Sequence, residues 1–148
     1  MPTLIQNKKA RFNYELLDKF EAGVVLLGFE VKSLKKGQGS FEGAHIIIRG
    51  NEAFLVGATI PPYQIANTPK TYDPKRARKL LLNKKELKEL AGAEKQKGLT
   101  IAPISCYTKG DKIKIEIAIA KGKKKHDKRE TLKKRDSERD VAREIKQY

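Results

Sequence analysis

Two histidines, His45 and His126, and one cysteine, Cys106, are the residues of this 148-residue chain best suited to nucleophilic or metal chemistry. Their spacing supports neither. With a single cysteine there is no internal disulfide, and two distant histidines do not complete the tetrahedral set of a structural zinc site. Cys106 sits in the apolar run "LTIAPISCYT", which points to packing rather than reactivity. No glycine-rich loop leads into a lysine and serine or threonine, and no carboxylate pair is placed for acid and base work. The chain reads as a protein that binds without turning anything over: not an enzyme, with no metal and no cofactor.

Its available chemistry is ionic. The net charge is +15, from 33 Lys and Arg against 18 Asp and Glu, and self-repulsion of that size is relieved by a polyanion. RNA or DNA is the leading partner, ahead of an anionic membrane. No apolar run approaches the roughly 20 residues needed to span a bilayer, and "MPTLIQNKKARFNYELL" lacks the apolar core of a signal peptide. A soluble, cytoplasmic protein with no membrane partner is expected.

Several stretches place charge where it could meet nucleic acid. In "GFEVKSLKKG", residues 28 to 37, Glu30 stands between Phe29 and Val31 and is followed by Lys32, Ser33 and Lys35. Glu30 is either a carboxylate at a helix N-terminus or an acceptor for base edges, with the lysines on neighbouring phosphates. In "KRARKLLLN" the residues Lys75, Arg76, Arg78 and Lys79 are either a solvated helix face or phosphate contacts. Leu80 belongs to the core under both readings, Leu81 is a candidate for an edge position, and under the first reading Asn83 merely caps the next helix. Lys114, on the polar face of the last strand, is either solvated or on phosphate.

These residues need strands and short helices to hold them. In "DKIKIEIAIAK" the residues Ile113, Ile115, Ile117 and Ile119 share a face opposite Lys112, Lys114 and Glu116, and "KGD" turns the chain back to "LTIAPISCYT" as a hairpin. "AHIIIRGNEAFLV" forms another, turning at Gly50 and Asn51. "RFNYELL" reads as extended, with Phe12, Tyr14 and Leu16 on one side, and Phe20, Ala22, Val24 and Leu26 continue the alternation. Between the strand groups two successive helices are expected. The first follows the Asp73 and Pro74 start with Ala77, Leu80 and Leu81 as its stripe; the second is capped by Asn83 and Glu86 and stopped by Gly98. The pattern predicts a mainly β fold with helices, an OB-type Greek-key barrel of about five to six strands over residues 1–121.

From residue 121 onward 12 basic residues meet 6 acidic ones with almost no apolar side chains. Such a composition buries too little to offset an ordering cost of roughly 1–2 kcal/mol per residue, so residues 122–148 are expected to form a tail disordered in solution. Val141, Ile145 and Tyr148 make a thin helical stripe that folds only against a partner.

Taken together, "GFEVKSLKKG", "YDPKRARKLLLNKKELKEL", "KGLTIAPISCY" and "KIEIAIAKGKKKHDKRE" resemble the small protein B (SmpB) family, the bacterial partners of transfer-messenger RNA (tmRNA). The resemblance implies an oligonucleotide-binding barrel that grips the tRNA-like domain of tmRNA. With elongation factor Tu it enters ribosomes stalled without a stop codon. It implies tmRNA binding by Glu30, Leu81 or Leu82, Asn83 and Lys114, beside the basic set Lys32, Lys35, Arg76, Arg78 and Lys79 and the neighbouring Ser33. It further implies that the tail from Gly122 passes the small-subunit decoding centre into the empty messenger channel and is helical there. Lys123, Lys124, Lys128 and Arg129 would neutralise ribosomal RNA beside Asp127, His126 would meet a decoding base, and Ile145 would belong to the channel contacts. Phe12, Asn13 and Lys35 depart from the family's usual residues. The competing reading is a structural ribosomal protein with the same kind of barrel and an rRNA-binding tail.

Overall fold

The structure, a computed structural model, describes residues 3–122. In chain order these are β1 (Thr3–Gln6), α1 (Lys8–Asn13), β2 (Tyr14–Val24), α2 (Gly28–Lys35), β3 (His45–Arg49), β4 (Glu52–Val56), β5 (Arg78–Leu81), α3 (Lys84–Glu94), β6 (Leu99–Lys109) and β7 (Lys112–Gly122). A turn of 3-10 helix, Ile65–Asn67, interrupts the long loop before β5. The expectations for residues 123–148, including Lys123, Lys124, His126, Asp127, Lys128, Arg129 and Ile145, lie outside the described residues.

All seven strands pair antiparallel in one sheet, in the order β1-β6-β7-β2-β5-β4-β3. The sheet is not closed into a barrel, which corrects both the expected architecture and the expected strand count. Its outer strands, β1 and β3, do not pair with one another. On β3, Ile48 N donates to Glu94 Oε2 and Arg49 Nη1 to Glu94 Oε1, each at 2.7 Å. The end of α3 therefore covers the backbone that closure would need. At the other edge, the four-residue β1 meets β6 through a register shift between Thr3 and Ile5.

The hairpins form where turn chemistry requires them. Gly50 and Asn51 both adopt positive φ, 58° and 61°, the geometry of a tight turn between β3 and β4. Gly110, at φ 65°, does the same between β6 and β7. Along β7 the four isoleucines face the main core, with Leu34, Leu55, Leu80, Leu90 and Ile101. On the opposite face, Ala118 and Ala120 pack with Ala10, Ala102 and Ile104 in a second cluster. α1 thus covers the outer face at one end of β7 and leaves the Lys112–Glu116 end uncovered. Cys106 is buried, and burial pushes its thiol up to about 12.

Two expected elements change identity. Phe12 belongs to α1, where the Asn7 side chain accepts from Ala10 N at 3.2 Å, and extended backbone starts only at Tyr14. The Phe12, Tyr14, Leu16 spacing straddles that boundary. The first of the two expected helices is instead a turn followed by β5. Asp73 Oδ1 accepts from Lys75 N at 2.9 Å and closes the turn, after which Arg78 and Leu80 point inward and Lys79 and Leu81 outward. An inward arginine hid this two-residue period. α3 does carry the expected cap: Asn83 Oδ1 accepts from Glu86 N at 2.8 Å, and Asn83 N donates to Glu86 Oε1 at 3.2 Å.

Candidate nucleic-acid interface

The uncovered outer face is built from one row of residues across four adjacent strands. The register pairs Tyr107 with Lys114, Lys114 with Gly23, and Gly23 with Leu81, so these four positions share a side of the sheet. Gly23 has no side chain to separate its neighbours. A Cβ there would lie 3.2 Å from Leu81 Cβ and 3.5 Å from Lys114 Nζ. Lys114 and Leu81 therefore meet over bare backbone, beside a cavity of about 330 Å³ also lined by Val24, Leu26 and Val31. Leu81 is 53% exposed, unusual for a leucine within a strand. Its other side borders a groove of about 800 Å³ lined by Leu82 and Leu87 together with Lys79, Lys84 and Lys88. An apolar floor among lysines fits a base face flanked by phosphates.

Two carboxylates paired across β2 and β7, Glu21 and Glu116, stand on this face, and Glu21 lies two residues before Gly23. Tyr107 Oη donates to Glu21 Oε2, and Lys109 Nζ reaches Glu21 Oε1 at 3.1 Å. These two bonds hold the Glu21 carboxyl below its usual range, while burial and the bond to Glu21 push the Tyr107 phenol up. Glu21, Gly23, Tyr107 and Lys109 were not singled out from the sequence. The available signal was "FEAG", where Glu21 alternates outward between Phe20 and Ala22 and a glycine follows inside a strand, a mark of close approach.

Glu30 is placed elsewhere. Its side chain is fully buried, with no exposed surface. Oε1 accepts from Leu27 N at 2.8 Å and from Arg76 Nη2; Oε2 accepts from Tyr72 Oη at 2.9 Å, Arg76 Nε at 3.1 Å, and Arg78 Nε and Nη2 at 3.0 and 2.6 Å. The expectation that Glu30 accepts from base edges is corrected on that ground, since both oxygens are saturated inside the protein. It does sit in the first turn of α2, where the dipole favours it. Arg78, likewise without exposed surface, also donates to Ala58 O, Pro74 O and Tyr72 Oη at 2.8, 2.9 and 3.0 Å. The cluster ties α2, the loop before β5 and β5 itself into one unit, and so sets where Leu81 stands.

Burial raises the Glu30 carboxyl, but the Arg76, Leu27 N–H, Arg78 and Tyr72 bonds outweigh it and leave it lowered to about 2. Tyr72 is pushed up to about 12, first by burial and then by Glu30. Because the folded value is depressed, the Glu30 contribution is fully present above the ordinary carboxyl range. It is lost as pH falls through about 2. Comparing acid titrations of the unmodified chain and Glu30→Gln should show a stability gap of about 3 kcal/mol at neutral pH that narrows in acid. A gap independent of pH would contradict the assignment.

The remaining expected residues divide as follows. Ser33 is buried, its Oγ donating to Gln38 O at 3.1 Å. Lys32 and Lys35 are exposed on α2. Arg76 is half-buried against Glu30, and exposed Lys79 pairs with Glu52 at 3.1 Å. Asn83 is exposed two residues beyond Leu81 and uses its side-chain oxygen as the α3 cap. Gly122 is the last described residue and still pairs with Tyr14. The structure therefore brings Leu81, Asn83 and Lys114 to one end of the sheet and buries Glu30, Ser33 and Arg78 beneath it. Among the described residues no group of His, Cys, Asp and Glu is placed to hold a metal ion, and no helix is long and apolar enough to cross a membrane.

The sequence pattern of the family described as SmpB protein matches residues 4–147. A protein from Burkholderia lata named SsrA-binding protein is 48% identical over 141 residues, covering 95% of each chain. One of the same name from Oleidesulfovibrio alaskensis is 50% identical over 145 residues, 98% of this chain and 93% of the relative. A solved structure described as "tmRNA-SmpB: a journey to the center of the bacterial ribosome" contains a chain of similar fold. It has a TM-score of 0.70 and 39% identity over 84% of this chain and 87% of that one. With a match spanning almost its whole length, the chain belongs to the SmpB protein family.

Proposed function

We propose that the chain is the tmRNA-binding adaptor of trans-translation, a non-catalytic cytoplasmic RNA-binding protein that delivers tmRNA to stalled ribosomes. The observation that carries this is the family match over residues 4–147, together with the row Tyr107, Lys114, Gly23 and Leu81, at which Leu81 is exposed and Lys114 half-buried. Within that function, residues 1–121 bind the tRNA-like domain, with Leu81, Asn83 and Lys114 at the RNA and Lys32, Lys35 and Lys79 available to its phosphates, while Arg76 is engaged by Glu30. Glu30, Ser33 and Arg78 act from beneath, by fixing α2 and β5. Residues 122–148 occupy the empty messenger channel near the decoding centre, and elongation factor Tu joins through the aminoacylated tmRNA.

Phosphate contacts release counterions, so affinity should fall with salt in proportion to the number of contacts. Lys114→Ala is expected to weaken binding of the tRNA-like domain and to reduce the slope of log affinity against log salt by about 0.7–0.9. Leu81→Ala should weaken binding and leave the slope alone. Filter binding across a salt series separates the two effects. Unchanged affinity in both variants would remove this face from the RNA interface.

A further inference from the structure

A second pocket, of about 270 Å³, lies across α2 from the sheet face. Val31 lines the cavity beside Leu81 and Lys114, whereas Phe29 and Lys32 line this one, opposite Tyr63, Gln64 and Asn67 of the loop before β5. Its walls are held from behind. The Phe29 ring meets Tyr72 edge-on at 4.6 Å and 89°, and Tyr72 Oη is bonded to Glu30 and, at 2.7 Å, to Ile60 O. The loop is tied to itself as well: Thr68 Oγ1 donates to Gln64 O, and Asn67 Nδ2 to Gln64 Oε1, both at 2.6 Å. That arrangement leaves an acceptor on Asn67 and a donor on Gln64 for a ligand.

Two aromatic side chains, paired amide groups and a lysine are the parts with which proteins hold an unstacked RNA base. The rings take the base face, the amides read its edge, and the cation takes the adjoining phosphate. The volume falls just below the range of about 300–1,000 Å³ that holds drug-sized ligands, and suits one planar group. Ile65 beside it is 83% exposed, apolar surface that an extended strand of RNA would cover. One helix, α2, walls both pockets, so they are separated by no more than about the 10–12 Å diameter of a helix. We infer that the Phe29 and Tyr63 pocket takes one unpaired base of the same RNA that the Leu81 and Lys114 face binds, with Lys32 on its phosphate. This rests on the RNA-binding function proposed above.

The test is equilibrium binding of the isolated tRNA-like domain of tmRNA to the full-length chain, carried out for four variants. Tyr63→Ala should weaken binding about 5- to 100-fold, the effect of losing one base stack, with the salt slope unchanged. Tyr63→Phe keeps the ring and should bind within about twofold of the unmodified chain, which separates stacking from loop disruption. Lys32→Gln should lower the salt slope by about 0.7–0.9. Tyr63→Ala binding as tightly as the unmodified chain overturns the inference, as does Tyr63→Phe losing as much as alanine. Lys114→Ala, measured alongside, tells the two failures apart. If it weakens binding while Tyr63→Ala does not, only this pocket is wrong; if neither does, the sheet-face reading fails as well.

Discussion

Replacing Glu30 by alanine is expected to destabilise the fold by about 3–5 kcal/mol, the usual effect of removing one partner from a buried ion pair. The reason is what remains. Arg78 has no exposed surface and cannot shed its proton, so its guanidinium would keep a full charge among carbonyl oxygens and one phenol. Arg76, half-exposed, can turn to water and loses less. Urea unfolding checks this: the midpoint should fall with the slope unchanged, since no new surface is exposed. A loss below about 1 kcal/mol, the range of exposed ion pairs, would show that Arg78 finds other compensation. Glu30→Ala should also weaken RNA binding by loosening β5, although Glu30 itself touches no solvent. Lowering the temperature to restore folding should recover part of that binding, which a lost direct contact would not allow.

Ending the chain after Gly122 should divide its functions. Gly122 still pairs with Tyr14 and β7 is complete there, so the sheet and the Leu81 and Lys114 face are left intact. The truncation removes 11 basic and 6 acidic residues, so some salt-dependent, sequence-independent attraction goes with them. Affinity for the tRNA-like domain should stay within about tenfold at physiological salt, while peptide tagging on stalled ribosomes should be abolished. Tagging assays with purified ribosomes and tmRNA, run beside binding assays, read both. Tagging that survives truncation would assign the ribosomal step to the folded part instead.

How much of this was legible in the sequence depended on whether neighbouring residues alone decide an element. Turns and caps are local, and the hairpins at Gly50 and Asn51 and at Gly110, as well as the Asn83 cap, were read directly. The isoleucine face of β7 was equally clear, because alternation needs no partner to be visible. β5 was misread because its inward position is an arginine, and only a glutamate 48 residues away makes burial of that arginine tolerable. Closure of the sheet was misjudged for a similar reason: whether an edge is free depends on α3 reaching β3 through Glu94. In the candidate site, Leu81, Asn83 and Lys114 were singled out for RNA binding, and the structure brings Leu81 and Lys114 together around Gly23. Glu30 was read from its neighbours as either a helix N-terminal carboxylate or a base-edge acceptor and was assigned to RNA through the family resemblance, since its arginine partners lie 46 and 48 residues away, and Glu21 was overlooked because its partners, Tyr107 and Lys109, lie in a distant strand.

The most direct test of the central claim is to recover the RNA that co-purifies with the full-length chain from its own cells and to sequence it. The account predicts strong enrichment of tmRNA over other RNAs, reduced by Lys114→Ala and retained after truncation at Gly122. Recovery of ribosomal RNA at one copy per ribosome, without tmRNA enrichment, would contradict it and identify a structural component of the ribosome instead.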